Sequence, residues 1–379
     1  MAWAATRLLT AAALVLFEAS LLEDPMRWLA HIDQRGVAQA FPEYPWPAVG
    51  LLSVPIAFGA LNLYTYGGAV LLGVLVADAG FAWLLWRAAG RRASAGLWLW
   101  LLAVPAIGPL ILARYDILPG VLAAAALLAL QRGAPAAAGA CTALGIGLKV
   151  WPALGLPALL VPGSAGSRAR LIGGLLGAGA ALAAATVAAA GVERLWSPLT
   201  VQLNRGLQIE AFAALPLHWL RYVDGGVRWS TVDVEACACI EVAGPGTGTA
   251  LAAASAAALA GGAALAWLHL RALRAPDAAR SVALAGLLVI LVVLLSVATS
   301  RVFSPQYMIW LAALLAALGA LPGGMLERGD AVLFLGACLL THLLFPFGYP
   351  TLYGTPRGFG HFAMLVALTL RDALLVALG

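Results

Sequence analysis

The chain has 379 residues, of which 63% are hydrophobic and only 10% are charged, and its mean hydropathy is +0.94. Soluble domains contain about 45–50% apolar and about 25% charged residues, so this composition excludes a soluble globular protein. The apolar residues form long continuous stretches, as membrane helices do, rather than the alternating pattern of a membrane β-barrel. The sequence therefore predicts an all-α integral membrane protein built as one polytopic domain, residues 1–379. The bias toward Ala, Gly, Pro and Arg is typical of a bacterial protein.

Twelve stretches are apolar enough to be membrane spans. The first could be a signal peptide, but Glu18 to Leu22 is not a small-residue cleavage site, so we predict a span that is retained. The segment 46–62 is interrupted by Pro47 and Pro55, and we interpret it as re-entrant or interfacial; if it crosses the membrane, the count becomes thirteen. The predicted spans are 7–22, 65–86, 97–113, 118–131, 135–148, 150–162, 171–191, 248–270, 281–299, 306–321, 331–345 and 359–376.

The basic turns set the predicted orientation. Cytoplasmic loops of membrane proteins carry an excess of Arg and Lys, so we place the turn with Arg87, Arg91 and Arg92 in the cytoplasm together with Arg7. Both chain ends then lie inside. The loop 23–46 after the first span and the large loop 192–246 after the seventh lie at the outer face. They divide the domain into a core module, 7–191, and a C-terminal module, 247–379.

Most of the remaining charged residues fall at this predicted outer face. Arg114, Asp116 and Lys149 lie in tight turns between apolar spans, where a charge that reaches the bilayer centre costs about 2.5–3.5 kcal/mol. Lys149 is the only lysine of the chain, and Pro152 ends the helix beside it. These cations could bind a lipid phosphate, but a snorkelling lysine and a local ion pair between Arg114 and Asp116 are alternatives. Asp78 lies inside a span, where we expect burial against a polar neighbour.

Several motifs in order resemble glycosyltransferase family 87. The central stretch contains Arg114-Tyr-Asp-Ile-Leu-Pro119, Gln131-Arg-Gly-Ala-Pro135 and Gly145-Ile-Gly-Leu-Lys-Val-Trp-Pro152. Four other motifs agree: Glu23-Asp24-Pro-Met-Arg27, Glu43-Tyr44-Pro45-Trp46-Pro47, Asn204-Arg-Gly-Leu-Gln-Ile-Glu-Ala211 and Phe303-Ser-Pro-Gln-Tyr-Met-Ile-Trp310. The chain departs from the family pattern at Trp46, where the family has Pro, and at Ala211, where it has Ser. The resemblance implies the multi-spanning type C glycosyltransferase fold.

The resemblance also implies an activity, the transfer of a sugar from a polyprenyl-phosphate donor to a lipid-linked or glycan acceptor. The family resembles alpha-1,2-mannosyltransferases, so mannose is the expected sugar, with arabinofuranose as the other candidate. An inverting transfer needs one general base. Asp24 matches the catalytic aspartate of the family, and Glu43 is the second candidate. The expected phosphate ligands are Arg114, Lys149, Arg205 and Arg301, and the expected sugar or acceptor ligands are Asp116, Gln208, Glu210, Gln306 and Tyr307.

Other function classes are weaker predictions. We find no metal-binding, P-loop or dinucleotide motif, so we predict no cofactor and no nucleic-acid partner; a divalent ion at Asp24 and Glu43 is chemically possible but has no support. A transporter or flippase of a lipid-linked substrate is the alternative function. It would need a polar site at the membrane midplane and internal repeats, whereas the charges here cluster at one predicted face. We therefore expect a multi-pass enzyme of cell-envelope biosynthesis with its site on the outer, periplasmic face of the cell membrane.

Overall fold

The computed structural model describes residues 1–203, 205–234, 239–275, 281–323 and 325–379. Asn204, the first residue of the Asn204–Ala211 motif, and residues 235–238 of the predicted loop 192–246 lie outside the described residues. Helices make up 78% of the structure, as the long apolar stretches predict. The α-helices are α1 Ala2–Leu16, α2 Glu23–Gln39, α3 Trp46–Ala57, α4 Leu63–Ala88, α5 Ala95–Ile107, α6 Leu110–Ala113, α7 Ile117–Gln131, α8 Pro135–Leu148, α9 Leu156–Leu159, α10 Ala165–Ala190, α11 Ser197–Leu203, α12 Leu215–Asp224, α13 Thr247–Arg274, α14 Val282–Thr299, α15 Tyr307–Ala320, α16 Arg328–His342, α17 Tyr349–Tyr353 and α18 Gly358–Leu378.

Shorter elements connect these helices. Two strands, β1 Ser230–Val234 and β2 Cys239–Ala243, pair antiparallel, and this small sheet is an addition to the predicted all-α class. None of the five side chains of β1 is fully buried, and Val232 is 44% exposed. Single turns of 3-10 helix cover Ala19–Leu22, Trp151–Gly155, Val192–Leu195 and Phe212–Ala214, and a π-helical turn covers Leu343–Gly348.

Within the described residues, six helices are long and apolar enough to cross a membrane. This indicates a mainly helical, membrane-embedded protein. A seventh would be the pair Ala2–Leu16 and Ala19–Gln39 if it counts as one span, although it bends by 91°. The other predicted spans coincide with shorter helices; α5, for example, has 13 residues and reaches about 20 Å, less than the ~30 Å of the hydrocarbon core. The structure therefore does not confirm twelve spans. The six helices are Tyr64–Ala88, Ala165–Ala190, Thr247–Arg274, Val282–Thr299, Arg328–Tyr353 and Gly358–Leu378.

The chain packs as two compact units that interleave along the sequence. Unit 1 comprises Met1–Asn204, His269–Ile290 and Ile309–Leu326. Unit 2 comprises Arg205–Leu268, Leu291–Met308 and Glu327–Gly379. The residues of the C-terminal module, 247–379, are shared between both units, so the packing does not follow the module boundaries drawn from the sequence.

The predicted loop 23–46 is mostly helical, because α2 occupies Glu23–Gln39. Two carboxylates, Glu23 and Asp24, lie in its first turn, where the helix dipole favours negative charge. Trp28 and Ile32, one turn apart, are buried, whereas the charged residues on either side, Arg27 and Asp33, are exposed. The helix kinks at Gly36, whose φ of 73° is non-helical. The charges made this segment resemble a loop, but their spacing is that of an amphipathic helix.

A buried ion pair connects α1 with α4 in unit 1. The Arg7 guanidinium donates to Asp78 with distances of 2.6 and 2.7 Å, and only 3% of either side chain is exposed. The indole N–H groups of Trp3 and Trp100 donate to the same carboxylate, at 2.6 and 2.7 Å. The prediction that Asp78 is buried against a polar neighbour is confirmed. The Arg7 charge is neutralised inside the helix bundle by Asp78, and its cytoplasmic placement stays a prediction.

Candidate active site

Asp24 and Arg114 form an ion pair in unit 1. Asp24 lies in the first turn of α2, and Arg114 follows α6 in an extended conformation that ends this short helix. Each side chain keeps 17% of its surface exposed. Arg27, one turn along α2, lies 3.9 Å from the other oxygen of Asp24. The predicted base is therefore held next to a predicted phosphate ligand and remains partly accessible.

Asp116 and Lys149 form a second ion pair, with 2.5 Å between Lys149 Nζ and Asp116 Oδ1. Asp116 is 2% exposed and also accepts a hydrogen bond of 3.0 Å from the Trp310 indole. Lys149 ends α8 with extended backbone angles, and its side chain is 18% exposed. Its ammonium lies 5.4 Å from the Tyr115 ring centre and 5.2 Å from that of Trp310, distances at which cation–π attraction acts.

Aromatic rings surround these charges. Tyr44 and Tyr115 meet edge to face at 5.4 Å, and Tyr115 meets Trp28 in the same way at 5.7 Å. Trp151 stacks on Trp310 at 4.9 Å. The Tyr115 hydroxyl and the Trp151 indole N–H are buried and have no hydrogen-bond partner among the described residues. Such groups are costly unless a partner binds them, so both are available to a ligand.

Glu43 lies near the same charged residues, because its charge acts on Tyr44 together with those of Arg114, Asp24 and Asp116. Burial raises the pKa of the Tyr44 hydroxyl well above its usual range; the charge of Arg114 lowers it, and those of Asp24, Glu43 and Asp116 raise it. Burial likewise raises the pKa of Tyr115, whose neighbours include Tyr44, Asp116 and Glu43. Both hydroxyls therefore stay protonated at neutral pH and can donate hydrogen bonds. Unit 1 brings together five of the predicted site residues, Asp24, Glu43, Arg114, Asp116 and Lys149.

The other predicted phosphate ligands lie in unit 2, where they contact each other. The Arg301 guanidinium donates to the Arg205 carbonyl at 2.8 Å, and the Gln208 N–H donates to the Arg301 carbonyl at 3.0 Å. Gln208 Oε1 accepts hydrogen bonds from the N–H groups of Phe303 and Glu210, both at 3.2 Å. Gln208 is 5% exposed; its amide oxygen accepts from the backbone of unit 2, and its amide nitrogen donates to the Tyr349 hydroxyl at 3.2 Å.

Glu210 is fully buried in unit 2. Arg371 of α18 donates to its carboxylate at 2.5 Å and to its carbonyl at 2.8 Å, and the Tyr349 hydroxyl donates to the other carboxylate oxygen. Burial raises the pKa of Glu210, while Arg371 and Tyr349 lower it. A sugar could reach this carboxylate only if the pair opened. The sugar-binding role of Glu210 stays a prediction, as do those of Asp116 and Gln208.

Gln306 and Tyr307 lie at the start of α15 in unit 2. Gln306 Oε1 is buried without a hydrogen-bond partner among the described residues, so it could accept a hydrogen bond from a ligand. The Tyr307 ring lies 6.1 Å from that of Phe303. Their predicted roles remain untested by this arrangement.

Sequence reasoning did not assign roles to several residues of these groups. Tyr44 and Tyr115 stand inside motifs that were recognised for their charged members, and that position was the available signal. Trp310 follows the Ser-Pro-Gln-Tyr motif by only three residues. Arg371 had no comparable signal, because it lies in an apolar span with one acidic neighbour, Asp372, which it also contacts at 2.8 Å.

In comparisons with known proteins, no family model, no curated protein and no solved structure matches the chain. No group of three His, Cys, Asp or Glu residues within the described ranges could hold a metal ion. The motifs and the geometry within each unit are therefore the features that point to a function.

Proposed function

We propose that the protein is a membrane glycosyltransferase that uses a polyprenyl-phosphate sugar, with mannose as the expected sugar. In this proposal the chain has about twelve spans and its site faces the periplasm. The acceptor is a lipid-linked or glycan hydroxyl. The observation that supports it most is the paired group in unit 1, in which a partly exposed carboxylate lies against a predicted phosphate ligand.

Asp24 is the proposed general base. It accepts the proton of the acceptor hydroxyl while the acceptor oxygen bonds to the anomeric carbon. The bond from that carbon to the phosphate oxygen breaks at the same time, which inverts the configuration. Arg114 keeps Asp24 oriented through their ion pair. Glu43, close to Tyr44 in the same group, is the second candidate for this role.

The leaving lipid phosphate needs fixed positive charge near the oxygen that gains it. Arg114 and Lys149 are the proposed ligands in unit 1. The phosphate-binding roles of Arg205 and Arg301, in unit 2, stay predictions from the motifs. Asp116 holds Lys149 by the ion pair and is itself held by Trp310, so Asp116 acts in this proposal as a positioning residue. The Tyr115 hydroxyl, buried without a partner among the described residues, is available as a further donor to the ligand.

The experiment measures transfer of radiolabelled mannose from polyprenyl-phosphate mannose to an extracted lipid acceptor by the purified protein. Asp24→Asn keeps the shape of the side chain and removes the base, and we expect turnover to fall at least ~100-fold. Asp33→Asn is the matched control, because Asp33 lies on the same helix, α2, and is exposed. Equal transfer by Asp24→Asn and the parent protein would reject Asp24 as the base, and the same test then applies to Glu43→Gln.

A transporter or flippase of lipid-linked substrates is the second candidate, supported only by the long apolar helices. Liposomes that contain the protein and a labelled polyprenyl-phosphate sugar separate the two functions. Movement of the lipid between leaflets, together with no transfer from any lipid-linked sugar, would replace the enzyme proposal by this one.

A further inference from the structure

An apolar groove opens on unit 1 beside the paired charges. It encloses about 220 Å³, and its walls come from α3, α8, α10 and the segment that follows α10. Val150 and Pro45 line it, and these residues directly follow Lys149 and Tyr44 in the chain. The groove is therefore continuous in sequence with two motifs of the candidate site.

Small residues let two of the groove's walls, α8 and α10, approach each other closely. Gly147 of α8 approaches α10 so closely that a Cβ would lie 2.7 Å from Leu182 Cδ1. Gly179 of α10 lines the groove, and a Cβ there would meet no atom within 4 Å. The space next to Gly179 is therefore empty of protein atoms. A slot of this volume between two packed helices suits one hydrocarbon chain better than the two chains of a phospholipid.

Polar hydrogen-bond donors lie among these apolar walls. Arg194 is 8% exposed and lines the groove. Its terminal nitrogens donate to the carbonyls of Ala40 and Phe41 and to the Ser197 hydroxyl. Its Nε and the indole N–H of Trp46 are buried without a partner among the described residues. Buried donors of this kind, next to a positive charge, favour an anionic oxygen as partner.

The charge of Glu43 lies near Arg194. Burial lowers the pKa of the Arg194 guanidinium, and the negative charge of Glu43 raises it. Glu43 is thus near enough to influence Arg194 without being a ligand of its Nε. A phosphate oxygen at Nε would add a second negative charge to the same cation.

We propose that this groove binds the polyprenyl chain of the lipid-phosphate donor, with its phosphate at Arg194 Nε and Trp46 Nε1. This inference rests on the proposed function, because it assigns the chain of the donor to a place beside Lys149. We prefer a single-chain isoprenoid phosphate to a diacyl phospholipid for two reasons. The groove encloses only about 220 Å³, and it is continuous in sequence with the candidate site. Arg194 becomes an additional phosphate ligand.

Binding of undecaprenyl phosphate to the purified full-length protein tests this directly, with native mass spectrometry as readout and no turnover needed. Gly179→Leu fills the groove without a backbone clash, and we expect the Kd to rise about tenfold, which corresponds to the contacts of roughly two methylene groups. Gly177→Leu is the matched control, because Gly177 lies on the same helix and also has open space, but is exposed and outside the groove. Its Kd should equal that of the parent.

A second variant tests the phosphate contact. Trp46→Phe keeps the ring and removes only the N–H, and we expect about tenfold weaker binding, whereas Trp98→Phe on the exposed face of α5 should have no effect. Unchanged Kd values for both Gly179→Leu and Trp46→Phe would overturn the proposal. Equally tight, groove-dependent binding of dioleoylphosphatidylglycerol would overturn the assignment to an isoprenoid phosphate.

Lipid binding in the groove and sugar transfer can be tested separately. Groove-dependent binding of undecaprenyl phosphate without transfer from any lipid-linked sugar would support the groove and reject the glycosyltransferase. Transfer whose donor KM does not change in Gly179→Leu would support the enzyme and reject the groove.

Discussion

Removing the charge of Lys149 tests whether this residue binds the donor or only forms a local ion pair. Lys149→Met leaves the Asp116 carboxylate, 2% exposed, with the Trp310 indole as its remaining donor. Breaking a buried ion pair costs about 3–5 kcal/mol. We expect about 3 kcal/mol, the lower end, because the Lys149 side chain keeps 18% of its surface exposed. Lys149→Met combined with Asp116→Leu removes both charges, and its stability should lie within ~1 kcal/mol of the parent protein.

The assay is a double-mutant cycle on the free energy of unfolding in detergent micelles, run in parallel with sugar transfer. The coupling energy should reach about 2 kcal/mol or more. Asp224→Leu with Arg228→Met is the control cycle, since Arg228 is 64% exposed and a surface pair couples by no more than ~0.5 kcal/mol. A Lys149–Asp116 coupling as small as that of the control would refute the stability argument. Parental transfer by the stable double variant would show that Lys149 does not bind the donor.

Three further outcomes follow from the structure. Asp78→Leu should destabilise the protein by about 3–5 kcal/mol, because it leaves Arg7 buried without its counter-charge. Adding Arg7→Met to the same chain should restore most of that loss. Additive effects of the two substitutions in thermal unfolding would contradict this prediction. Burial lowers the pKa of His218 to about 4, below its ordinary value of about 6.5. The unfolded chain therefore binds the proton first, and stability should fall by up to about 3 kcal/mol between pH 6.5 and 4; an equally steep fall in His218→Gln would contradict this. Arg114→Gln should slow transfer about 100-fold. Arg27→Gln, at an exposed arginine 3.9 Å from Asp24, should change transfer by less than about threefold. Similar losses in both variants would show that the Asp24–Arg114 pair has no special role.

The positions of the long apolar helices could be predicted from the sequence, but those of α2, α11 and α12, which lie in predicted loops, and the number of membrane spans could not. Every predicted span contains helix, because continuous apolar stretches must satisfy their backbone groups internally in a bilayer. The spans 97–113 and 150–162 are nevertheless broken: the first divides at Gly108 and Pro109 into α5 and α6, and the second begins with a 3-10 turn at Trp151. Glycine and proline within an apolar run mark such breaks. Hydropathy alone does not show how deeply the pieces lie in the membrane.

The composition of the candidate site was predictable in part, and its pairing was not. Arg114 and Asp116 are two residues apart, so a local ion pair between them was the obvious alternative. The structure instead pairs Arg114 with Asp24 and Asp116 with Lys149, over separations of 90 and 33 residues. These pairings depend on how α2, α6 and α8 pack, and a single sequence contains no direct signal for that. The same reason applies to Arg371, whose partner Glu210 is 161 residues away.

The pairing in unit 1 has a consequence for the proposed chemistry. Arg114 and Lys149 each already contact a carboxylate, so these four charges cancel in pairs before any donor binds, and Glu43 adds a further negative charge to the group. A phosphate can gain from Arg114 only by sharing it with Asp24. In this scheme Arg114 both binds the donor and orients the base. Arg114→Gln distinguishes this from simple phosphate binding: a loss confined to the donor KM would contradict the orienting role, because that role requires kcat to fall as well.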